Sequence, residues 1–167
     1  EPTPTVDTAP IGTPTPEHPD QIVVLVADEI RTLEPYRMVN VRAESSLSGH
    51  LWDTLTFVNA DLELEPSLAT SWRLINNFTW EFQLREGLFF HNGEPVNAEA
   101  VRFSLERSQS MPGSLETFAH DVQLEEVQIL DDYKLRLILG TPVSNLGYQI
   151  SAIEILPPIY YGETDAE

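Results

Sequence analysis

No cysteine occurs in the 167 residues, which excludes disulfide staples, thiolate metal sites and cysteine nucleophiles together. Basic residues are also scarce: nine Lys and Arg stand against 27 Asp and Glu, for a net charge of −18. No run of Lys and Arg could neutralise successive phosphates, so nucleic acid is excluded as a partner. The same charge is repelled by anionic lipid, and no stretch approaches the roughly 18 consecutive apolar residues that span a bilayer. Any membrane association would therefore come from an anchor. The chain opens on Glu1 rather than Met, so an export signal, if there was one, has been removed or left out.

Several chemical signatures are missing as well. There is no G-x-x-x-x-G-K-[ST] phosphate loop and no G-x-S-x-G elbow, since Ser48-Gly49 lacks the glycine two residues earlier. His18, His50, His91 and His120 are scattered, with no close metal-ligand spacing, so neither a metal nor a cofactor is expected. Asp61, Glu63 and Glu65 lie close together, but in so acidic a chain such groups arise without catalytic meaning. Asn77-Phe78-Thr79 fits a glycosylation sequon, relevant only in a eukaryotic secretory host. No catalytic residue is expected, and the chain is read as no enzyme.

What is present divides the chain. Residues 1–20 hold six prolines and five threonines and almost nothing to bury, the composition of a flexible tether. At Gln21 the character changes, and Ile22 to Ala27 form a β-branched run expected as a strand covered on both faces. A short helix is expected over Glu44–Asp53 and a short strand over Leu55–Val58. Phe78, Trp80, Phe82 and Leu84 alternate with polar residues, so a half-buried strand is expected there. It would pair with the Trp72 and Leu74 segment across an Asn76-Asn77 turn. A second hairpin is expected from Val127–Leu130 through Asp131-Asp132 to Leu135, Leu137 and Leu139. Between the two, His91 to Glu94 reads as a turn facing water, and Asn97 caps a helix reaching about Ser108. Several strands without a βαβ rhythm indicate an α+β fold with an antiparallel or mixed sheet.

Residues Leu51 to Ser108 carry a resemblance. The segments LWDTL, ADLELEPSLATSW and FTWEFQLREGLFFHNGEPVNAEAVRFSLER strongly resemble, in order, the signature region of the family 5 extracellular solute-binding proteins. Matching positions include Pro66, Leu68, Ala69 and Trp72, then the Leu-Arg-x-Gly and Phe-His-x-Gly-Glu-Pro elements, with Gly87 and Gly93 at sharp turns and Pro95 at the helix entry.

The resemblance implies that residues 21–167 are the N-terminal lobe of a type II-like periplasmic binding protein whose second lobe is absent. The intact parent would bind oligopeptides, dipeptides or a related small solute outside the membrane, lipid-anchored through the tether, and pass it to an ABC permease. By the placement of such lobes' cleft faces, Tyr36, Met38, Arg42, Phe118 and His120 are the candidate ligand contacts, with Arg42 meeting a carboxylate and Tyr36 stacking or hydrogen bonding. The alternative is a lobe reused as a protein-interaction or sensor module.

Overall fold

The computed structural model describes residues 30, 32, 34–37, 45–110 and 123–164. The expected tether and the Ile22–Ala27 strand lie outside them. Helix α1 spans Ser45–Leu51, and a two-stranded antiparallel ribbon follows, β1 (Thr56–Val58) with β2 (Leu64–Pro66). The main sheet has four strands: β3 (Ala69–Asn76), β4 (Thr79–Leu84), β5 (Leu124–Asp131) and β6 (Lys134–Leu139). Helix α2 (Ala98–Ser110) runs between the hairpins, and α3 (Leu146–Ile150) and α4 (Pro158–Thr164) follow the sheet.

Both hairpins form, and β4 pairs with β6, so the strand order is β3-β4-β6-β5 and every pairing is antiparallel. The α+β expectation and its antiparallel sheet therefore hold. The two turns differ from expectation by one residue. Asn76 still pairs with Thr79, and its side-chain oxygen accepts the Phe78 amide at 2.9 Å, so the loop residues are Asn77 and Phe78. Asp131 likewise pairs with Lys134 and accepts the Tyr133 amide at 2.9 Å. A side-chain oxygen thus closes each turn without the positive φ that an Asn-Asn corner suggested. One consequence is that Phe78 sits at the tip, largely exposed, rather than in the strand.

Period-2 alternation decides the sheet's two faces. Trp72, Phe82 and Leu135 are register partners across three strands, as are Leu74, Trp80, Leu137 and Val127 one step along. Phe82, Leu135 and Leu137 have no exposed surface. Complete burial of side chains of this size stabilises by about 1.5–3 kcal/mol each. Helix α2 covers this face with Ala98, Val101 and Leu105, packing against β5 and α4. Its start is set as expected: Asn97 Oδ1 accepts the Ala100 amide at 3.0 Å, while the Ala98 amide donates to the Asp132 carbonyl at 2.8 Å. Gly87 and Gly93 take positive φ of 73° and 88°, conformations that tax any residue with a Cβ.

The chain's later part returns to its earlier one. A bridge joins Thr54 to Glu154, and the Ile155 amide donates to the Asp53 carbonyl at 2.9 Å. Thr56 Oγ1 donates to the Gly147 carbonyl at 2.6 Å, tying β1 to α3. These closures bring Tyr36 and residues 51–54 beside residues 154–161.

Candidate functional site

Where those segments meet, Arg107 points inward from the last turn of α2 with only 4% of its side chain exposed. Its two terminal nitrogens donate to the two carboxylate oxygens of Glu34, at 2.8 and 3.2 Å, the fork geometry guanidinium groups favour. The guanidinium also lies 5.5 Å from the Tyr36 ring centroid and 4.9 Å from that of Tyr161. A buried charge is tolerated only when it is paired, and here one carboxylate and two aromatic faces replace its water.

Tyr36 is 5% exposed. Its hydroxyl is shared between the Glu154 carbonyl at 2.6 Å and the Ser104 carbonyl at 3.2 Å. Ser104 in turn donates to the Ala100 carbonyl at 2.7 Å and accepts the Leu156 amide at 2.8 Å. Burial pushes the Tyr36 hydroxyl well above the usual tyrosine range, raises the Glu154 carboxyl, and pushes Tyr161 up to about 12.

Tyr161 also lines a neighbouring cleft of about 200 Å³, together with Leu51, Trp52, Phe90, Pro157 and Tyr160, and with His91 and Asn92 as its polar members. The Tyr160 and Tyr161 rings meet edge to face at 5.1 Å. Helix α4 is held at this cleft by Glu94, only 9% exposed, which accepts the Ile159 amide at 2.8 Å and the Tyr160 amide at 3.2 Å. The turn expected to face water therefore turns one carboxylate inward, as a cap on a helix 64 residues away at Pro158. Both Glu94 oxygens accept backbone amides of this helix, and among the described residues no group of three metal-ligating side chains is found.

Of the sequence-derived candidates, Tyr36 lies in the core with its hydroxyl taken by two carbonyls, whereas Met38, Arg42, Phe118 and His120 fall outside the described residues. Sequence reasoning missed Arg107, which reads as an ordinary solvated cation near a helix end. It missed the aromatic cleft too, although Tyr160-Tyr161, one residue after Pro157-Pro158, was an available signal. The cleft offers rings and few donors, and the Arg107 charge beneath it is already matched by Glu34, so an apolar or aromatic group fits it better than a free carboxylate.

The architecture is that of a periplasmic-binding-protein lobe. Among solved structures, MoaA from A. tumefacien R10, in complex with mannopinic acid, superposes with a TM-score of 0.70 at 23% identity, over 81% of this chain and 29% of that one. NikZ from Campylobacter jejuni, in complex with Ni(L-His), gives 0.68 at 24% identity over 80% and 27%. DppA from Helicobacter pylori, in complex with the peptide STSA, gives 0.66 at 24% identity over 80% and 30%.

The family model for bacterial extracellular solute-binding proteins, family 5 Middle, matches residues 63–167, and the chain belongs to that family. Curated relatives include the uncharacterized protein YhjP of Bacillus subtilis, 28% identical over 80% of this chain and 23% of its own length. The glutathione-binding protein GsiB of Pectobacterium atrosepticum is 26% identical over 81% and 27%. The HTH-type transcriptional regulator SgrR of Escherichia coli is 33% identical over 53% and 16%. The chain thus spans about a quarter or less of the curated relatives it matches.

Proposed function

We propose that this chain is part of the first lobe of a substrate-binding component of an ABC importer, capturing a peptide or a related small solute outside the membrane. The observation that carries the reading is the family match over residues 63–167, and the similarity of the fold to ligand-bound lobes supports it. Residues 21–167 would form the lobe and residues 1–20 the tether to a lipid anchor. Closure of a second lobe over the ligand would present the complex to the permease, with no bond made or broken.

Within this proposal Met38, Arg42, Phe118 and His120 are ligand contacts. Tyr36 is tied to α2 through the Ser104 carbonyl and to the later part of the chain through the Glu154 carbonyl. Affinity in such sites comes from enclosing the ligand, so this chain alone binds weakly. The test is thermal unfolding of this chain and of its longer parent against short peptides, nickel and sugars. A midpoint raised in the parent by one ligand class, and not in the chain alone, is the expected result; a parent unmoved by every solute overturns the reading.

A second reading is a sensor or docking module, favoured by the SgrR relatives, in which a similar segment occurs within a transcriptional regulator. Binding of a partner protein by a parent that ignores every solute would support it.

A further inference from the structure

The face of the main sheet turned away from α2 carries an unusual balance of charge. In register, Arg73 on β3, Glu81 on β4 and Arg136 on β6 form one cross-strand row, with Ser71 and Lys134 flanking Gln83 beside it. Glu81 accepts Arg73 at 2.6 Å and Arg136 at 2.8 Å, and Lys134 Nζ stands 3.4 Å away. Only 5% of the Glu81 side chain is exposed, against 68% for Arg73, 35% for Arg136 and 33% for Lys134. The buried carboxylate is therefore roofed by cations that still reach water.

Three of the chain's nine basic residues share this one acid, leaving two surplus positive charges in a molecule whose net charge is −18. Among the described residues no second carboxylate lies within ion-pair distance of any of the three. Asp131 pairs with Lys134 in register, yet its side-chain oxygen is engaged by the Tyr133 amide. Like charges gathered in this way repel one another, and a bound anion removes the repulsion. A hollow of about 320 Å³ opens at the same place, lined by Ser71, Trp72, Arg73, Glu81, Gln83 and Lys134. One hydrogen of the Gln83 amide is engaged by the Tyr133 carbonyl at 3.1 Å, and the other donor side chains lining the hollow are Arg73, Lys134 and the Ser71 hydroxyl.

We infer that this hollow binds a small oxyanion, a carboxylate or phosphate group held between Arg73 and Lys134 with the Ser71 hydroxyl as a further donor. Glu81 does not compete with the guest, because both its oxygens are already engaged. Its part is to hold the three cations at fixed spacing. This site is separate from the aromatic cleft and does not depend on the transport reading.

The experiment is isothermal titration of the full chain with inorganic phosphate and, separately, with citrate, at constant ionic strength set by chloride. Saturable one-to-one binding is expected. Arg73→Gln and Lys134→Gln should each weaken it by about tenfold, the loss expected for one charge-assisted hydrogen bond. Arg85→Gln is the control, since Arg85 donates to the Ser67 carbonyl at 3.2 Å and lines no part of the hollow. Circular dichroism confirms that each variant folds. Saturation by phosphate alone assigns the site to phosphoryl groups, by citrate alone to carboxylates, and by both to oxyanions in general. No saturable heat with either probe, or equal weakening in Arg85→Gln, overturns the inference.

Discussion

Replacing Arg107 with Met keeps most of the side chain's volume and removes its charge, leaving the Glu34 carboxylate, 17% exposed, without its guanidinium partner. Breaking one side of a buried ion pair costs about 3–5 kcal/mol, because the surviving charge stays desolvated. The guanidinium's position over the Tyr36 and Tyr161 rings places the loss at the upper part of that range. For a urea slope of about 1.5 kcal/mol/M, a loss of about 4.5 kcal/mol lowers the unfolding midpoint by about 3 M, read from tryptophan fluorescence. Glu34→Gln should cost less, and the double variant should be less destabilised than the two singles combined, by about 1–3 kcal/mol of coupling. The reasoning is refuted if Arg107→Met moves the midpoint by less than the equivalent of about 0.5 kcal/mol, the scale of an exposed pair. Strict additivity in the double-mutant cycle would refute it equally.

Gly147→Ala would place a Cβ 2.4 Å from Leu64 Cδ2 and 3.2 Å from Trp72 Nε1. The Leu64 side chain can partly swing aside, so a loss of about 1–3 kcal/mol is expected in the same urea assay. Phe82→Ala, at a fully buried position in the middle of the sheet, should cost about 3–5 kcal/mol, and a smaller loss would mean that α2 collapses into the space. Glu94→Ala uncovers the Ile159 and Tyr160 amides, for which about 1–2 kcal/mol and faster hydrogen exchange confined to α4 are expected; unchanged exchange there would reject the cap. Tyr161 has its pKa raised by burial to about 12, so the unfolded chain loses that proton first as pH rises. Its contribution is complete below about pH 10, the ordinary tyrosine value, and is lost between there and about 12. Tyr161→Phe should flatten that alkaline decline. Glu81 behaves oppositely: its Arg73 hydrogen bond lowers it to about 2, so its stabilisation is present above about pH 4.5 and fades as pH falls toward 2.

Much of the fold was legible because period and turn chemistry are local. The Trp80, Phe82 and Leu84 alternation named both the strand and its buried face, and Asn97 marked the helix start within a residue. The turns slipped by one position because Asn76 and Asp131 act through their side-chain oxygens, a choice that residue identity allows without dictating. The site was far less legible. Arg107 and Glu34 are 73 residues apart, and in the sequence both look like solvated charges.

By itself, then, the sequence determined the α+β class, the two hairpins, the capped helix and the resemblance to solute-binding proteins, since each depends on spacings of a few residues or on an ordered motif. Tertiary structure alone decided that β4 lies against β6, because either hairpin could satisfy its own ladder without saying which edge meets which. It alone decided that Glu34 and Glu94 turn inward and that Glu81 is roofed by three cations. A carboxylate is buried or solvated according to which donors the rest of the chain brings to it, and that is a property of closure rather than of any local pattern.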